Sequence, residues 1–125
     1  MQIEQNIRIG VIVDVTGEYF TARLASESQG LPSDEASGIK GARIGQVGSY
    51  LSIKQAGFQT LVMVERSYSV ADRQGKPVSM ARLVPLGEFS QQGVFTKGVS
   101  RFPNVGDEIQ VISHKQLERI FAAHS

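Results

Sequence analysis

Cysteine and tryptophan are absent from this sequence, and histidine occurs only twice. Without cysteine there is no disulfide framework, no thiolate metal site and no thiol nucleophile, a composition that fits a cytoplasmic protein. His114 and His124 both belong to the C-terminal tail, and no further nitrogen, sulfur or carboxylate stands at a metal-ligand spacing from them. A metal site and a Ser-His-Asp hydrolase are therefore not expected, the second also because no serine sits in a G-x-S-x-G elbow. Long apolar runs are missing as well. Glu4, Arg8, Asp14 and Glu18 break up the first twenty residues, which excludes the pattern of a signal peptide or membrane span there. Nor does charge of one sign dominate, since 13 Lys plus Arg face 12 Asp plus Glu and leave a net charge of +1. The basic footprint common in nucleic-acid modules is not visible in the linear order, although folding can gather scattered arginines.

What is present is ordinary globular composition, with 41% hydrophobic and 20% charged residues in 125, enough for one core and one domain. From Ile7 the residues Ile7, Ile9, Val11, Val13 and Val15 share one parity, the clearest strand pattern in the chain. Thr16-Gly17-Glu18 supplies turn chemistry, and Phe20, Ala22 and Leu24 then alternate with Tyr19, Thr21 and Arg23, which predicts a hairpin. Residues 25 to 43 are poor in apolar side chains and read as a long flexible loop, a candidate contact element because loops beyond about 12 residues are uncommon in compact domains.

Period-two alternation returns from Ile44 to Lys54 and predicts a half-buried strand. Gln55-Ala56-Gly57 is turn-like, and Leu61-Val62-Met63-Val64 reads as a strand covered on both faces, near the centre of the sheet. Asp72 to Pro77 turns the chain before Met80 to Leu86 extends again, with Pro85 assigning that strand to an edge or a bulge. Val94 to Lys97 and Glu108 to Ile112 are two short strands. Leu117, Ile120 and Phe121 then fall at helical spacing after a capping box formed by Ser113 and Gln116. The expectation is an all-β fold, a small closed or partly closed barrel of about seven strands over residues 1 to 112, with a short C-terminal helix over 113 to 125.

Several motifs resemble chemistry without its context. Asp107 and Glu108 are consecutive, so on a strand their carboxylates diverge. The glycines at 38, 41, 45 and 48 lack the G-x-x-x-x-G-K-[ST] of a phosphate loop, and Gly38-Ile39-Lys40-Gly41 lacks the helical flanks that a KH clamp needs. No cofactor is expected. Tyr19, Tyr50 and Tyr68 are the aromatic candidates for contact with a partner, and Tyr50, opposite in parity to Leu51 and Ile53, should face solvent or that partner.

Ile44-Gly45-Gln46-Val47-Gly48-Ser49-Tyr50-Leu51-Ser52-Ile53 resembles the "vGsYv.I" strand of the HerA/ATP-synthase barrel domain. Leu86-Gly87-Glu88-Phe89 and the stretch from Phe95 through Gly98, Pro103 and Gly106 to Ile109 are similar to that domain's "LGe…F.rGv..yP.vGdev" segment, and Ile9-Gly10-Val11-Ile12 is similar to its first strand. The match covers most of the chain apart from residues 25 to 43. Its motif positions here are Gly10, Gly45, Gly48, Tyr50, Gly87, Gly98, Pro103 and Gly106.

The resemblance implies a non-catalytic barrel that precedes a RecA-like motor in a DNA translocase, helps to order a hexameric ring of identical chains, and docks a partner nuclease or effector. DNA would be engaged through the parent complex and no membrane is involved. The chain carries no Walker motif, so ATPase activity does not transfer to it, and the helix around Leu117 and Phe121 would lead into the motor domain. Tyr50, Tyr68, Leu117 and Phe121 are the candidate interaction residues. The alternative is an OB-like barrel binding single-stranded nucleic acid through Tyr50, Tyr68 and Arg66.

Overall fold

Alternating apolar residues in short runs form strands only if one face finds a core, and here six strands supply one another's core by closing into a barrel. The computed structural model describes residues 8 to 25 and 46 to 123. Its elements are β1 (Arg8–Val15), β2 (Phe20–Leu24), β3 (Tyr50–Gln55), β4 (Phe58–Ala71), β5 (Pro77–Ser90), β6 (Phe95–Lys97), β7 (Glu108–Val111) and a helix, α1 (His114–Ala123). The strand order is β2-β1-β7-β3-β4-β5-β6, and an additional β2–β5 pairing closes the first six into a ring with β6 outside it. Every pairing is antiparallel. The fold is thus a closed barrel, with one outlying strand and a single short helix.

The interior draws on all six ring strands: Ile9 and Ile12 from β1, Phe20, Ala22 and Leu24 from β2, Leu51 and Ile53 from β3, Val62 and Val64 from β4, Ala81 and Leu83 from β5, and Ile109 and Val111 from β7. Closure buries these side chains and also pairs the strand edges that an open sheet would expose. A second, smaller core lies outside the barrel wall, where Leu61, Phe89, Ile112 and Ile120 are buried with Tyr50, Leu86, Phe95 and Leu117 packed against them. Leu61 and Val62 therefore serve opposite faces of β4, which is the double coverage that the continuous apolar run predicts.

Pro85 lies at a register shift, where Val62 pairs with Pro85 and Leu61 with Gly87. The bulge is as expected; an edge position is not, because β5 has neighbours on both sides. Its β2 partners are Met80 to Leu83 and its β6 partners are Gly87 to Phe89. Proline falls in the interval between them, where the missing N–H breaks no ladder bond.

The strand expected from Ile44 begins instead at Tyr50. Ile44 and Gly45 lie outside the described residues. Gly48 has φ of 92°, the left-handed region that favours glycine. Ser49 N donates to Gln46 O at 2.9 Å, which makes a turn of residues that alternate in polarity like a strand, and Val47 is left exposed. The loop expected over 25 to 43 lies, beyond Ala25, outside the described residues.

The capping box forms as its spacing predicts. Gln116 N donates to Ser113 Oγ at 3.1 Å and Ser113 N to Gln116 Oε1 at 3.3 Å. This reciprocal pair satisfies two backbone donors at the start of α1 and seats the helix on the outer core.

Candidate functional site

Antiparallel closure places the C-terminal ends of β1, β3 and β5 and the N-terminal ends of β2, β4 and β7 at one mouth of the barrel. The turns after β1, β3 and β5 gather there. So does the segment from Gly98 to Asp107, which crosses from the β5 side to the β1 side as a strap. Its first anchor is Glu88, whose carboxylate accepts Ser100 N at 2.8 Å and Arg101 N at 3.1 Å. The Arg101 guanidinium lies 3.7 Å from the Phe58 ring centroid. At the far end, Gly106 N donates to Ile12 O at 2.7 Å and Ile12 N to Asp107 O at 2.9 Å.

Between these anchors Phe102 meets Phe20 edge to face, with ring centroids 6.0 Å apart, so the strap continues the barrel core outward. Pro103 is buried beneath the same segment. Gly98 and Gly106, with φ of 84° and 99°, make the corners at its two ends. Phe102 remains 48% exposed, Val105 66% and Val94 in the neighbouring turn 64%. These exposed apolar side chains, two on the strap and one in the turn after β5, are the rim of the mouth. Single exposed apolar residues are commonplace, but several at one mouth of a barrel are a feature of interaction surfaces.

The remaining motif glycines are demanded by close approach. A Cβ at Gly10 would overlap the Arg23 carbonyl oxygen and come within 3.1 Å of Leu24 Cα. At Gly87 it would strike the Phe95 ring and lie 2.6 Å from Thr96 O. Gly45 lies outside the described residues.

The expected interaction residues do not form one surface. Tyr50 does point outward from β3, as its parity requires, but it packs edge to face on Phe121 at 5.4 Å and belongs to the core under α1. Its partner is the chain's own helix, which corrects the expectation of a solvent-facing or partner-facing side chain. Leu117 is half-buried in the same place, and Phe121, 44% exposed, is the most open of the four. Tyr68 stands apart on β4, half-buried, with the Arg66 guanidinium 4.7 Å from its ring centroid. Tyr50 thus stands opposite Met63 on β4 and packs on Phe121, whereas Tyr68 stacks with Arg66.

Sequence reasoning passed over Val94, Phe102 and Val105. The available signal at Phe102 and Val105 was their isolation among glycine, proline and polar residues, where an apolar side chain has no regular element to bury it, whereas Val94 reads as the start of the strand over 94 to 97.

Among the described residues no group of three or more His, Cys, Asp or Glu side chains is placed to hold a metal ion. Also among the described residues, no helix is long and apolar enough to cross a membrane. The class that these observations define is a closed antiparallel β-barrel carrying an anchored strap and a wall-packed helix. No protein-family model and no curated protein matches the chain.

Proposed function

We propose that the chain is a non-catalytic assembly barrel of a HerA-type ring-forming ATPase, joining neighbouring copies and offering a surface to a partner nuclease or effector. The observation that carries this reading is the exposure of Phe102 and Val105 on the strap and of Val94 in the turn after β5. Charge is balanced overall at +1, so copies of the chain do not repel one another strongly. The resemblance through Gly10, Gly87, Gly98, Pro103 and Gly106 supports the same reading, because these residues shape the barrel corners and the strap that bears the rim. The parent's motor, not this barrel, engages ATP and drives DNA movement.

The occupant of the rim is a second copy of the barrel in the ring. Val94 and Val105 point into solvent, so the double change Val94→Asp with Val105→Asp should leave folding intact. In the full-length gene product it is expected to lower the assembled mass measured by light scattering at micromolar concentration, with an unchanged circular dichroism melt. An unchanged assembly would remove the rim from the interface.

A further inference from the structure

The register of three strands gathers arginines that are scattered in sequence. On the outer face of the wall, Arg66 on β4 stands directly opposite Arg82 on β5, and Arg82 directly opposite Thr21 on β2. In the adjoining row Tyr68 faces Met80, which faces Arg23. The inward partners on the same strands are Val64, Leu83, Ala81, Ala22 and Phe20, all in the barrel core, so the arginines share the opposite, outer face. The Arg82 guanidinium stacks 4.2 Å from the Tyr19 ring centroid, and Arg66 stacks on Tyr68. Six side chains thus make one surface of three guanidinium groups, two tyrosine rings and Met80.

Like charges directly opposite each other across a sheet destabilise it, and a carboxylate neighbour is the usual remedy. None is used here. Among the described residues the sole ion pair joins His114 and Glu118 on α1, so Asp14, which stands opposite Thr21 in the same row, and Glu65 and Glu108 form no ion pair with Arg66, Arg82 or Arg23. The arginines turn to tyrosine faces instead, which fixes flat cationic planes beside flat aromatic ones. This wall is also the one that α1 leaves open, since the helix packs on the core of Leu61, Phe89 and Ile112. The arm of β4 and β5 beyond Glu65 extends the surface outward.

We propose that this wall is a docking surface for single-stranded nucleic acid, with phosphates taken by Arg66, Arg82 and Arg23 and bases stacked on Tyr19 and Tyr68. The pairing of chemistries selects the occupant. Unneutralised guanidinium groups call for a polyanion, and aromatic rings interleaved with them call for one that carries planar apolar faces. A duplex hides its bases from such a surface, and an acidic peptide leaves the rings unused. The site lies on the barrel wall and does not depend on the rim or on ring assembly.

The test is fluorescence anisotropy of this chain with a labelled twenty-nucleotide oligothymidylate at low salt, followed by titration with NaCl. Arg82→Gln should weaken binding by about tenfold, as expected for loss of a central phosphate contact, and each Arg→Gln change should make the slope of log K against log salt shallower by about 0.7. Tyr19→Leu and Tyr68→Leu should each weaken binding by roughly five- to a hundredfold at unchanged salt slope, the signature of stacking. Thermal melts of the variants separate a folding defect from a binding defect. Lys54→Gln, on β3, should bind like the unaltered chain. Absence of binding at low salt, or Arg→Gln variants that bind as tightly as the unaltered chain, overturns the proposal. Equal competition by heparin together with unaffected Tyr→Leu variants would replace it with a general polyanion surface.

Discussion

Phe20→Ala is expected to destabilise the fold by about 3–5 kcal/mol, the range for removing a fully enclosed aromatic side chain. Phe20 is 0% exposed, lies across from Leu83 at the β2–β5 seam and carries Phe102 of the strap on its ring edge. Its removal opens a cavity where the barrel closes and takes away the surface on which the strap rests. Small domains commonly hold only about 5–15 kcal/mol in total, so the loss is a large share of stability. Urea denaturation followed by circular dichroism measures it. Phe121→Ala is the control, because that ring is 44% exposed and meets Tyr50 edge to face at the outer wall. It should cost roughly 0.5–1.5 kcal/mol for the lost aromatic pair, with little cavity left behind. Equal losses in the two variants would mean that the β2–β5 seam is not a packed interior.

Gly10→Ala should produce the second large effect. The added Cβ meets backbone on the neighbouring strand, namely Arg23 O, Arg23 C at 3.2 Å and Leu24 Cα at 3.1 Å. Backbone cannot rotate away as a side chain can, so β1 and β2 must separate or shift register. Overpacking of this kind costs about 1–3 kcal/mol, and the top of that range applies where the obstacle is rigid. Gly17→Ala offers the comparison at the turn between the same two strands, where a Cβ meets nothing within 4 Å. Its melting temperature should stay within a degree or two of the parent, whereas that of Gly10→Ala should fall by several degrees.

These two positions also show what the linear sequence can and cannot express. Phe20 is legible as core from alternation with Tyr19 and Thr21, and the β1–β2 hairpin follows from the turn residues between them. The Ser113 and Gln116 box and the bulge at Pro85 are legible for the same reason: each depends on residues a few positions apart. Closure of the ring is not, since the β2–β5 pairing joins Phe20 to Leu83 across half of the chain. Local patterning carries no record of such a partner. The arginine wall is hidden in the same way, because Arg23, Arg66 and Arg82 become neighbours only through that pairing and the β4–β5 register.

Alternation misleads where a glycine with positive φ interrupts it. Gln46 to Ser49 keeps strand-like polarity but turns at Gly48, so β3 starts late and Val47 faces out. Tyr50 was legible as outward-pointing; that α1 covers it was not, because the helix pattern fixes an apolar stripe without naming the wall on which it rests. The mixed run Ser67-Tyr68-Ser69-Val70-Ala71, mostly exposed, conceals the far half of β4 in turn. Its cross-strand partners, Ala81 to Pro77, hold it in strand geometry beyond the barrel where no core selects apolar residues.

The rim and the wall are separate surfaces of one barrel, and the assembly reading makes the more direct demand on the molecule. Analytical ultracentrifugation of the proposed ATPase parent, intact and with residues 1 to 125 removed, tests it. The account predicts that the assembled species is lost and that smaller species remain at the same concentration. An assembly of unchanged stoichiometry without the barrel would contradict it.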